Sequence, residues 1–79
     1  MATTTRPFDV LNQSLGKRVI VALRGDREYR GIMDGYDIPH INLMLREVDE
    51  VTMAGKPEEK HTSHRTVIVR GENIIYISP

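Results

Sequence analysis

Val67-Ile68-Val69-Arg70-Gly71-Glu72-Asn73-Ile74-Ile75-Tyr76-Ile77 is the stretch on which the fold turns. A strand-like pattern running from Arg65 to Val69 breaks at Gly71, and a second strand begins at Ile74. That last strand is apolar on both faces. It is poorly suited to a solvent-exposed edge, because unpaired backbone groups beside apolar side chains invite another strand. Pairing with a neighbouring subunit would remove the liability, so the segment predicts a β protein that assembles.

Working outward, the strand pattern extends back to Lys17. Val19, Val21 and Leu23 alternate through a first strand, and Arg24-Gly25-Asp26-Arg27 forms a polar tip in which Gly25 can take positive φ, as a hairpin requires. Tyr29, Gly31, Met33 and Gly35 then share one face of a second strand, whose two glycines permit sharp bending. Pro39 marks a break before Ile41, Leu43 and Leu45, which alternate with Asn42, Met44 and Arg46. Glu47 to Ser63 is the most polar stretch, with Gly55-Lys56-Pro57-Glu58-Glu59-Lys60 reading as an exposed loop or hairpin tip. Ahead of the strands, residues 6–16 carry helix signals: Thr5 or a neighbour as cap, Pro7 in the first turn, Gly16 as terminator. Phe8, Leu11 and Leu15 form an apolar stripe suited to packing across an open barrel end. The fold class is therefore mainly β, a short N-terminal helix followed by a five-stranded, strongly bent antiparallel barrel. A single domain over residues 1–79 is expected, with 1–5 a disordered tail, a helix over 7–15, a barrel over 17–78 and a variable loop at about 50–62.

A chain of 79 residues buries only about 60% of its unfolded surface, so the core alone makes a marginal monomer. With no cysteine, neither disulfides nor a Cys-based zinc site can supplement it. Oligomerisation is the remaining common supplement. No apolar run reaches the roughly 18 to 20 residues that cross a bilayer, and Met-Ala-Thr-Thr-Thr-Arg-Pro lacks an apolar signal core, so a soluble, cytoplasmic protein with no membrane partner is expected. The net charge is zero, which removes the global electrostatic footprint of a nucleic-acid binder; any such site must be local or multiplied by assembly. Basic residues lead before Glu47 and acidic ones after it, which allows one basic face or end.

Two segments carry more than pattern: Gly35-Tyr36-Asp37-Ile38-Pro39-His40-Ile41-Asn42-Leu43-Met44-Leu45 and the stretch from Val67 to Ile77. In this order, separated by a polar loop, they resemble the two signature motifs of the Sm and Sm-like (Lsm) family. The opening Arg-Pro-Phe-Asp-Val-Leu looks like the archaeal branch. The resemblance spans Arg6 to Ser78. It implies an Sm-like (SH3-like) barrel and a ring homo-oligomer, commonly a heptamer, closed by pairing the fourth strand of one subunit with the fifth of the next. It also implies binding of uridine-rich single-stranded RNA around the central pore, one base per subunit, in RNA processing or as an RNA chaperone or scaffold.

The residue types suit that chemistry. An unpaired base offers two π faces and a hydrogen-bonding edge. His40 and Arg70 can supply flat groups, and the Asn42 amide can read uracil's adjacent carbonyl and N–H. By resemblance Asp37 orients Asn42 from behind and the Gly71 backbone completes the edge contacts. Arg6 and Tyr36 resemble residues that make a secondary RNA contact near the helix. One departure stands out: Asn42 follows Asp37 by five residues, where the family's first motif has four, and Pro39 looks like the extra residue. Glu72 stands where archaeal members often have aspartate and suggests a lip or a ring contact.

Each of these residues has a plainer reading. His40 alone would be a turn histidine, Asn42 a structural amide, Arg70 a solvated strand-end charge and Tyr36 a rim packing residue. A metalloenzyme would have to draw on His40, His61 and His64, but His61 and His64, three apart outside a helix, need not share a face, and no HExxH-like or serine-nucleophile pattern exists. No enzyme activity, catalytic residue, metal or cofactor is therefore expected. The stronger rival is a structural ring with little RNA affinity.

Overall fold

Proline loses nothing at a first helical position, where its missing N–H would have no partner, and Pro7 opens α1, Pro7–Gln13, with Asp9 in its first turn. The computed structural model describes residues 6–79; the expected tail over 1–5 and the cap at Thr5 lie outside them. Arg6 leads in with extended backbone and makes no side-chain capping bond. The helix is shorter than the 7–15 expected. Ser14 closes it, donating its hydroxyl to the Val10 carbonyl at 2.8 Å, and Gly16, at φ +78°, turns its N–H to the Met33 carbonyl at 2.8 Å. Leu15 thus leaves the helical stripe. Leu11 packs on the core, Leu15 remains exposed, and Phe8 meets Tyr36 edge-to-face with ring centroids 5.9 Å apart. The expected three-residue stripe reduces to one core contact, because Leu15 lies beyond the helix end at Gln13 and Phe8, inside the helix, packs on Tyr36 and stays exposed.

Five strands follow: β1 Arg18–Leu23, β2 Arg27–Tyr36, β3 Leu43–Thr52, β4 Lys60–Val69 and β5 Ile74–Ser78. All pairings are antiparallel, in the order β4-β3-β2-β1-β5. Val19, Val21 and Leu23 from β1, Met33 from β2, Leu43, Leu45 and Val48 from β3 and Val69 from β4 form one buried cluster. The β1–β2 turn carries Gly25 at φ +85° and Asp26 at φ +59°, the left-handed conformations expected of a tight hairpin.

The sheet curls at two register shifts between β2 and β3, at Arg30/Ile32 and Met33/Gly35. At the first, Gly31 faces two β3 residues, and Glu47 takes φ +51°. A Cβ on Gly31 would sit 3.0 Å from the Arg46 carbonyl oxygen, so the bend needs glycine there. The bulge also resets the inward alternation from Leu45 to Val48. That reset hides strand at both ends of what reads as a polar loop over 50–62: β3 runs on to Thr52 and β4 begins at Lys60. Only residues 53–59 turn, with Met53 at φ +56° and Gly55 at φ +79°.

Among the described residues, both outer strands end the sheet unpaired. β4 bonds only to β3 and β5 only to β1, and Ile68, Ile75 and Tyr76 along these edges are 71%, 63% and 56% exposed. No helix among the described residues is long and apolar enough to cross a membrane.

The loop over 37–42 and the 3-10 turn Gly71–Asn73 meet at Gly71. A Cβ there would lie 1.8 Å from the His40 carbonyl oxygen and 2.8 Å from that of Ile41. Gly71→Ala should therefore force the loops apart and destabilise the fold by about 3 kcal/mol, with a lowered thermal midpoint. Gly35→Ala, where the nearest atom is the mobile Met44 Cε at 3.8 Å, should cost no more than about 1 kcal/mol. Equal midpoints for the two variants would contradict this packing.

At the β3–β4 tip, both His61 ring nitrogens meet carboxylates: Nδ1 and Asp49 Oδ2 at 2.7 Å, Nε2 and Glu59 Oε2 at 2.6 Å. Glu59 also accepts the Gly55 N–H at 2.8 Å. The hydrogen bond to Glu59 and then that to Asp49 raise the His61 pKa above its ordinary 6.5, since only the imidazolium can donate to both. A pKa raised on folding means the contribution is fully present below about pH 6.5 and is lost as pH rises through the folded value. The stability difference between the parent and His61→Gln should follow that course, and the His61 ring should titrate above 6.5 by NMR. A midpoint at or below 6.5 would show the clip absent.

Candidate nucleic-acid interface

β2 ends at Tyr36 and β3 begins at Leu43, so the residues between must reverse the chain. The Asp37 N–H donates to the Asn42 carbonyl at 3.1 Å and the Ile41 N–H to the Asp37 carbonyl at 3.0 Å. Ile41 takes φ +53° to close the turn. This geometry absorbs the extra residue near Pro39: Asp37 still reaches Asn42 across five positions. Its Oδ1 accepts the Asn42 backbone N–H at 3.1 Å and its Oδ2 accepts the Asn42 Nδ2 at 3.3 Å.

From the other side the Gly71 N–H donates to Asn42 Oδ1 at 2.9 Å. The Asn42 amide is thus held at both ends, and its orientation follows from its partners: the carboxylate can only accept and the backbone N–H can only donate. The resemblance implied that the Gly71 backbone completes the edge contacts to a base; in the structure its N–H is bonded to the Asn42 amide oxygen. That N–H is turned inward to orient Asn42, because the close approach of Gly71 to residues 40 and 41 brings it over the amide oxygen.

An open cleft of about 510 Å³ is lined by Pro39, His40, Asn42, Arg70, Gly71 and Glu72. His40 and Arg70 are exposed, on the two loops that flank Asn42. Arg70 Nη2 lies 2.6 Å from Glu72 Oε1, an ion pair bridging the two residues that flank Gly71. Glu72, expected at a lip or a ring contact, lines this cleft, as does Pro39, for which the sequence offered no signal beyond a break before β3. The other two expected residues lie elsewhere. Tyr36, half-buried, shares a separate shallow cleft with Phe8, Asn12, Leu15 and Ile38, and exposed Arg6 precedes α1.

His61 and His64 point to different carboxylates, His64 Nε2 lying 2.7 Å from Glu50 Oε1. No group of three or more His, Asp or Glu among the described residues is arranged to hold a metal ion. What the cleft offers is two planar side chains, an oriented amide with one free donor and one free acceptor, and a carboxylate. That set suits a flat polar heterocycle.

A protein-family model described as the LSM domain matches residues 9–79. The snRNP Sm-like protein of Archaeoglobus fulgidus is 47% identical over 74 residues, covering 94% of this chain and 90% of its own. That of Methanococcoides burtonii is 45% identical, covering 94% and 96%. Among solved structures, the Pyrococcus abyssii Sm protein in complex with a uridine heptamer superposes with a TM-score of 0.81 at 36% identity, over 95% of this chain and 99% of that one. A heptameric archaeal Sm protein gives 0.75 at 38%, over 89% and 94%. The two motifs, the bent five-stranded sheet with its N-terminal helix and these matches along nearly the whole length agree, and the chain belongs to the LSM domain family of Sm-like proteins.

Proposed function

We propose that this chain closes into a homo-oligomeric ring of seven subunits that binds uridine-rich single-stranded RNA around its pore, one base in each cleft. The observation that carries the reading is the Asn42 amide, held by Asp37 and Gly71 between the two loops that bear His40 and Arg70. After those two bonds, Asn42 keeps one lone pair on Oδ1 and one hydrogen on Nδ2. Uracil presents the complement, an N–H beside a carbonyl. Cytosine presents the reverse, and the amide cannot flip to meet it. Flipping would set Nδ2 against the Gly71 N–H and Oδ1 against the Asp37 carboxylate.

His40 and Arg70 stack on the two faces of the base, each such contact contributing on the order of 1 to 3 kcal/mol. Ring closure is supported by the two unpaired edges of the sheet, where Ile68 on β4 and Ile75 and Tyr76 on β5 stand exposed. It is supported as well by the likeness to a heptameric archaeal Sm protein. A strand pair across each interface removes both edges, and repetition around the ring lets a neutral chain bind an anionic polymer by multiplying a modest site. The role is that of a scaffold or chaperone in RNA processing in the cytoplasm, and it needs no catalytic group.

Native mass spectrometry should give the mass of seven subunits, and a stable monomer at micromolar concentration would refute assembly. On intact rings, oligouridine should outcompete oligocytidine and oligoadenosine at equal salt. Asn42→Ala should lower uridine affinity by about 1 to 3 kcal/mol per base and leave the salt dependence unchanged. Asp37→Asn, whose amide can face Asn42 either way, should relax discrimination between uridine and cytidine more than it lowers affinity. Rings of parental mass that bind all three homopolymers equally would leave only a nonspecific basic pore, and rings that bind none of them would leave the structural-ring reading standing.

A further inference from the structure

Glu72 is out of place in a cleft meant for a polyanion. It lines the same cleft as His40, Asn42 and Arg70, its side chain is 66% exposed, and its Oε1 lies 2.6 Å from Arg70 Nη2. A carboxylate accepts hydrogen bonds and cannot donate them, so a phosphate beside it would be repelled. If Arg70 served only to attract phosphate, Glu72 would cancel it. The ion pair is exposed and contributes little by itself, so Arg70 can slide over a base while Glu72 stays at the cleft rim.

The hydrogen-bond inventory of the ligand narrows what Glu72 can meet. A uridine inside a strand has two donors, the base N3–H and the ribose 2′-hydroxyl. On the reading above, on which this inference rests, Asn42 Oδ1 takes the first. A carboxylate lining the same cleft can take only the second. We propose that Glu72 reads the sugar: its free carboxylate oxygen accepts the ribose 2′-hydroxyl of the base held between His40 and Arg70, so the ring selects RNA over single-stranded DNA of the same base. The 2′-hydroxyl is the one group by which a protein can make that distinction at a single nucleotide. A charge-assisted bond of this kind is strong enough to read out.

The test uses intact rings and three oligomers of equal length: uridine, deoxyuridine and 2′-fluorouridine. The fluorine keeps the ribo-like sugar pucker without a donor, which separates the hydroxyl from backbone shape. The parent should prefer uridine over both others by on the order of tenfold or more. In Glu72→Ala the uridine to 2′-fluorouridine ratio should fall towards one, whatever happens to overall affinity once Arg70 is released. Glu72→Gln, whose carbonyl still accepts, should restore part of the ratio. Equal binding of uridine and 2′-fluorouridine by the parent, or a ratio unchanged in Glu72→Ala, overturns the assignment and leaves Glu72 as a neutraliser of Arg70. A parent ring that binds no oligouridine at all instead overturns the base-pocket reading, and the sugar assignment falls with it.

Discussion

The contact between Gly71 and the loop over residues 37–42 is the constraint on which the rest of this molecule depends. With the His40 carbonyl oxygen 1.8 Å from where a Cβ would stand, the two loops touch backbone to backbone. That closeness lets the Gly71 N–H reach Asn42 Oδ1 at 2.9 Å, and it brings His40 and Arg70 to the sides of one cleft. A side chain at position 71 would separate the loops, release the amide and open the cleft at once. Packing and the shape of the cleft therefore share one glycine.

The curvature that brings the loops together is set further back. Gly31 lets β2 pass close to β3 where Glu47 bulges, and the strands on either side of the bend carry the buried cluster. The bend leaves β4 and β5 as unpaired edges at the two ends of the sheet order. Their exposed apolar side chains are the counterpart of a small core: surface that a chain of this size does not bury internally remains available for burial between subunits. The proposed ring would thus satisfy the edge backbone and complete the apolar burial by the same strand pairing.

Charge plays a local part. The chain is neutral overall, and much of its charge is consumed in short pairs such as Arg46 with Asp34 and Glu47, Arg30 with Glu28, and Arg27 with Glu50. In the cleft, Arg70 is matched by Glu72. The recognition proposed for this cleft would lean on stacking and on the pattern of donors and acceptors more than on counterion release. The orientation of one amide then carries most of the information, and Asp37 matters because it fixes that orientation.

The sequence by itself determined the helix-then-strands order, the hairpin at Gly25, the bending role of Gly31, the liability of the last strand and the pairing of two motifs around His40, Asn42, Arg70 and Gly71. The first four follow from local chemistry, since alternation, turn residues and glycine are legible along the chain; the last rests on the resemblance of the two segments to the Sm-like motifs. Only the tertiary structure decided that β3 and β4 run on through a polar stretch, because a bulge at Glu47 breaks the alternation by which strands are recognised. It alone showed that Asp37 keeps its hold on Asn42 despite the extra residue, since a turn's closure depends on backbone dihedrals such as the positive φ of Ile41. It alone turned the Gly71 N–H inward and set Glu72 in the cleft beside Arg70. Residues 29 positions apart, such as Asn42 and Gly71, become neighbours only when the sheet bends, and a hydrogen bond's direction exists only once both partners are in place.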